Sequence, residues 1–169
     1  MTLFVPFDGS DLAEAALVRA TEFATVFDEP VVAATVIPSK NEDYASDHGW
    51  IDGDEGFDGR SVVASLNEQV TSLSPEATFR HEIVDRYAPS GYIANRIRKM
   101  ARNADASMVF IGSENAGHLV TALSSVGANV AADESYDVVI VRNRSPTKIR
   151  RLRESSPHRR AESDFYRDV

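Results

Sequence analysis

The sequence predicts an α/β fold: a single doubly wound domain with a five-stranded, mainly parallel sheet and helices on both faces. Three observations predict it. Short apolar runs at 3–7, 30–37, 107–113 and 137–143, with an alternating run at 77–85, are separated by stretches of helical spacing. The second run, "PVVAATVI", is apolar throughout and β-branched, the pattern of a strand buried on both faces of a parallel sheet. Strict alternation of strand and helix calls for right-handed crossovers, and so for parallel strands.

The elements follow in order. "LFVPF" (3–7) is a strand ending in the turn Asp8-Gly9-Ser10. In 11–25, Leu12, Ala15, Ala16, Arg19, Ala20 and Phe23 recur at helical spacing, with Ser10 or Asp11 as the cap. After the second strand, 38–59 is polar, rich in Gly and Asp, and reads as a long loop. Helix is expected over 61–73, strand over 77–85, and helix over 88–104, opened by Pro89 and Ser90 with Ile93, Ile97 and Met100 on one face. A fourth strand (107–113), a helix (124–134) and a fifth strand (137–143) complete the body. The domain is expected to occupy 1–143, and 144–169 to be a basic, flexible tail.

Composition narrows the function. The 169 residues include no cysteine, which excludes disulfides and thiolate chemistry and fits a reducing, cytoplasmic setting. No 18-residue apolar run suggests a membrane span, and the first residues show no secretory signal. Residues 1–143 carry 10 Lys+Arg against 22 Asp+Glu, and residues 144–169 carry 8 against 4. A body of net −12 repels phosphates, so it is not a general nucleic-acid binder. Its acidic, lysine-poor character suggests adaptation to high salt, where self-repulsion is screened.

One stretch approaches a phosphate loop. In "VFIGSENAGHLVTALSSVG" (109–127) an apolar strand exits through Gly112, a polar loop follows, and Ser124 and Ser125 stand at a helix start. Phosphate binding needs inward N–H groups, glycines for close approach and a helix N-terminus. A lone glycine loop is a weak signal, and from the bare pattern the plainer reading, a turn glycine and an N-cap, is the favoured one.

Four segments, "VPFDGSDLAEAAL", "VVAATVI", "VFIGSENAGHLVTALSSVGANVA" and "DVVIVRN", resemble the universal stress protein family over residues 3–142 in order and spacing. The resemblance implies a doubly wound five-stranded parallel sheet and, in many members, ATP binding through Gly, two residues, Gly, nine residues, then Gly-Ser or Gly-Thr. Residue by residue it places Asp8 near the ribose and Val36 against adenine through its backbone. Ile111 and Gly112 fall at the fourth-strand exit. Asn115 stands at the second glycine, Ser124 replaces the third, Ser125 keeps the hydroxyl, and Val126 follows. The spacing is one residue short: eight residues separate Asn115 from Ser124.

The departures weaken the site. Asn115 tolerates positive φ better than most residues, but its side chain occupies space beside a phosphate. A missing residue moves N–H groups by up to ~3.5 Å. Two or three charge-assisted hydrogen bonds, each worth roughly 1.5–3 kcal/mol, are at stake. No Lys or Arg lies between Gly112 and Val141, and Glu114 adds a repelling carboxylate that Mg2+ would offset.

Other features carry less. The acidic loop 41–60 fails as a calcium loop at Gly56 and Phe57; it reads as solvated, or else Trp50 and Phe57 pack over the cleft or a partner as a lid. His48, His81, His118 and His158 have no metal-ligand spacing. The final strand 137–143 presents an open edge, and the resemblance implies a homodimer paired through it. The tail has three readings: a solvated extension, an electrostatic contact to an acidic body or partner protein, or a nucleic-acid or membrane contact through its arginines.

The expectation is a cytoplasmic stress-response or regulatory protein, a homodimer and not an enzyme, with no catalytic residue or resident metal. It binds an adenine nucleotide, ATP or AMP with Mg2+, weakly or at a degenerate site. The alternative is an interaction module without nucleotide that regulates a partner such as a transporter.

Overall fold

The computed structural model describes residues 1–53, 56–112 and 126–142. Its elements are β1 (Thr2–Pro6), α1 (Asp11–Phe27), β2 (Val31–Pro38), α2 (Glu42–Asp47), α3 (Gly59–Leu73), β3 (Thr78–Val84), α4 (Ser90–Asn103), β4 (Ala106–Gly112), α5 (Val126–Ala131) and β5 (Asp137–Val141).

The strands form one sheet in the order β3-β2-β1-β4-β5, and every neighbouring pair is parallel. Strand alternation sorts the core into two layers. Leu3, Val5 and Phe7 face α1 and α3, together with Ala33, Ile37 and Phe110. Phe4 faces α4 and α5, with Val32, Ala34, Val36, Val109 and Ile111. Helices therefore cover both faces, and β2 is buried at every position, as its unbroken apolar run requires.

Local sequence explains the boundaries. The Ser10 hydroxyl accepts from the Ala13 N–H at 3.2 Å and starts α1. At the far end Asp28 adopts φ 55° and its N–H returns to the Ala24 carbonyl. α1 buries Ala13, Leu17 and Val18 besides the expected stripe, because it packs on the sheet and also against α3.

Two expectations need correction. The 38–59 segment is not continuous loop. Asn41 caps α2 by accepting from the Tyr44 N–H at 2.9 Å, while its amide donates to the Arg86 carbonyl at 2.6 Å. The last helix stops at Ala131 instead of 134. There the Asp133 carboxylate accepts from the Ser135 N–H and hydroxyl, which closes a turn in place of another helical turn.

Asp133 also fastens this corner to α4. It is buried and receives Arg98 at 2.9 Å and Arg102 at 2.5 Å. Burial pushes its carboxyl up, but the Ser135 and Arg98 hydrogen bonds and the Arg98 charge outweigh that and hold it well below the usual carboxylate range. The expected tail, 144–169, lies outside the described residues.

Candidate functional site

The strand order reverses between β1 and β4, the place where ligands enter open α/β sheets. The chain leaving β1 passes through α1 to β2 and the chain leaving β4 leads to β5, in opposite directions along the sheet, which leaves a cleft between the two carboxyl ends. A cavity of about 120 Å³ lies at this point. Asp8 and Val36 border it from the ends of β1 and β2, Ile111 and Gly112 from β4, and Val126 from the start of α5. The five described residues singled out from sequence thus line one cavity. Asn115, Ser124 and Ser125 lie outside the described residues, as does His118.

The floor is apolar. Ile93 and Ile97 of α4 and Val130 of α5 join Val36 and Ile111 there. The rim at Asp8 is polar and preset: one carboxylate oxygen accepts from the Ser10 N–H at 2.9 Å, closing the turn in which Gly9 takes φ 79°. Gly112 serves a packing need. A Cβ built on it would lie 2.1 Å from the Leu12 carbonyl oxygen, so only glycine lets β4 pass the first turn of α1.

Sequence reasoning missed most of the cover. Tyr44 and His48 sit one turn apart on α2, and their rings stack at 4.0 Å. Trp50 lies 5.1 Å from His48 and 5.5 Å from Tyr44, ring centre to ring centre. The His48 Nδ1 donates to the Tyr44 carbonyl at 2.8 Å. The Trp50 indole N–H donates to the Asp8 backbone carbonyl at 2.6 Å. All three rings line the cavity. Burial, and then the Asp8 carboxylate, push the Tyr44 phenol up to about 12, so it stays a neutral donor facing an anion.

Of the two aromatic residues weighed as a lid, Trp50 covers this cleft and Phe57 does not; Phe57 borders a separate groove beside β3. The Asn41 cap and the Tyr44/His48 spacing were the available signals for α2, and no spacing signalled the Trp50–Asp8 bond.

The residues suit a flat, uncharged ring on the floor and hydroxyl groups at Asp8. The room does not: about 120 Å³ is below the ~300–1,000 Å³ of small-molecule pockets, so a nucleotide requires this cleft to widen. Among the described residues no cluster of three His, Asp or Glu side chains could hold a metal ion, and no helix is long and apolar enough to cross a membrane.

Comparison with solved structures supports the fold. A universal stress protein in complex with cAMP is 23% identical, with TM-score 0.56 over 84% of this chain and 97% of that one. A universal stress protein from Archaeoglobus fulgidus is 19% identical, with TM-score 0.55 over 84% and 98%. The Archaeoglobus fulgidus protein in complex with dAMP is also 19% identical, with TM-score 0.53 over 84% and 98%. No individually curated protein matches the sequence. The universal stress protein family model matches residues 1–142, and the chain belongs to that family.

Proposed function

We propose that this chain is a stress-response regulatory protein that binds an adenine nucleotide weakly at the cleft between β1 and β4. One observation carries the reading: Asp8, Val36, Ile111, Gly112 and Val126 border a single apolar-floored cavity where the strand order reverses. Proteins of the same fold have solved structures in complex with cAMP and with dAMP. Adenine would lie over Val36 and Ile111, and the ribose hydroxyls would meet Asp8. The phosphates would run toward Ser124 and Ser125, with Mg2+ supplying the positive charge that the loop lacks. The protein acts by occupancy rather than turnover, in the cytoplasm. It pairs as a homodimer through β5, whose Val138, Val139 and Ile140 are each half-buried at the sheet edge.

A second reading is favoured by the small volume and the Trp50–Asp8 bond: an interaction module, closed to nucleotide, that regulates a partner protein. Titration calorimetry with ATP and AMP in high salt, with and without Mg2+, separates the two. Saturable heat with a change in Trp50 fluorescence supports the nucleotide reading; no heat at millimolar nucleotide supports the second.

A further inference from the structure

A separate groove of about 770 Å³ runs between the free edge of β3 and the start of α3. Its floor is apolar, built from Phe57, Val63, Phe79 and Ile83. Ile83 is 59% exposed, a large apolar side chain left mostly in water. Lys40 and Arg60 border the same groove together with one carboxylate, Asp58, which interacts with the Arg60 charge; Lys40 makes no ion pair among the described residues. In a body of net charge −12, a groove bordered by two cations and one carboxylate keeps a net positive charge beside an aromatic floor, which favours an anionic, aromatic ligand. Among the described residues β3 is an edge strand that pairs only with β2, and its outer backbone groups have no strand partner among them, the geometry an added strand uses.

The chain carries a segment of matching chemistry. Residues 161–169 read "AESDFYRDV", with Glu162, Asp164 and Asp168 against one arginine, and the adjacent aromatics Phe165 and Tyr166. In extended form Asp164, Tyr166 and Asp168 share one face, an aromatic ring flanked by two carboxylates. The groove offers the complement. The basic run before this segment meets the opposite condition, since Lys40 and Arg60 repel it. Reach is ample. The 19 residues from 143 to 161 span up to roughly 65 Å. Four strand spacings, about 19 Å, separate β5 from β3.

We propose that residues 162–169 dock in cis along β3, with Tyr166 on the Phe57–Phe79–Ile83 floor and Asp164 and Asp168 toward Lys40 and Arg60. The contact is independent of the nucleotide reading.

The absence of cysteine permits a direct test. Ala64→Cys in the groove is paired with Ser163→Cys; the control pairs Ser163→Cys with Lys99→Cys on α4, across the sheet. The groove pair is expected to form an intramolecular disulfide at least tenfold faster than the control. Asp164→Asn with Asp168→Asn should slow it by about tenfold, the loss of two exposed ion pairs. Equal rates for the two pairs overturn the proposal, and so do disulfide-linked dimers, which place the segment on a second copy. Hydrogen exchange needs no cysteine. Ending the chain after residue 161 should speed exchange of the outward β3 amides at least several-fold; unchanged exchange overturns the proposal and leaves the groove to another partner.

Discussion

The Trp50 indole N–H and the Asp8 backbone carbonyl meet at 2.6 Å, and that single bond joins the cover of the cleft to the end of β1. Trp50→Phe keeps an aromatic ring and removes the donor. If nucleotide must displace the cover, losing one hydrogen bond lowers that cost by about 1 kcal/mol. AMP binding should tighten by about fivefold in calorimetry, while thermal stability falls slightly. Unchanged or weaker affinity would show that Trp50 does not gate the cleft.

Gly112→Ala is expected to be severe. The new methyl group would sit 2.1 Å from the Leu12 carbonyl oxygen and 2.7 Å from the Ala13 nitrogen. Both are backbone atoms, so no rotamer change relieves the clash, and β4 or α1 must shift. Denaturant unfolding should show a loss of about 3 kcal/mol or more. Gly53→Ala, with nothing among the described residues within 4 Å of its Cβ position, is the matched control and should cost little.

Asp133 predicts an acid limb. Its folded carboxyl lies below the unfolded value of 3.8, so its stabilising contribution is complete above that value and is lost as pH falls beneath it. Asp133→Asn should lower stability by about 2 kcal/mol at neutral pH, because Arg98 and Arg102 lose a buried partner. The variant should lose less stability than the parent between pH 4 and 2 on acid titration, by at least ~1 kcal/mol. Parallel curves would remove Asp133 as the source.

The acidic surface predicts a salt requirement. Asp11, Asp43, Asp47 and Asp52 make no ion pair among the described residues. Repulsion among such groups is screened within about 3 Å at 1 M salt, against about 10 Å at 0.1 M. The melting temperature should rise by several degrees from 0.1 M to 2 M KCl. A flat profile would count against adaptation to high salt.

Much of this architecture is written locally. The unbroken run at β2 announces a strand buried on both faces, and Ser10 announces the start of α1. Asp8, Val36, Ile111 and Gly112 were legible because they sit at strand ends, where a parallel sheet always places its cleft. α2 was hidden because six residues rich in Asp and Ser carry too little apolar periodicity to stand out, and its helix depends on the Asn41 cap. The meeting of Trp50 with Asp8 joins positions 42 residues apart and leaves no trace in spacing. β3 reads as alternating, yet His81 and Ile83 are exposed, because an edge strand has cover on one flank only.

The contact at Gly112 gives the cleft one fixed jaw. With no side chain between β4 and the first turn of α1, backbone rests on backbone, and neither can slide without the other. α2 is anchored instead by side chains: Ala45 is buried, Tyr44 packs on the core, and the flanking Asn41 amide and Trp50 indole bond to the Arg86 and Asp8 carbonyls. Among the described residues, then, the cleft has one wall of backbone set on backbone and one wall of side chains, like a vice with one jaw fixed and the other on its screw.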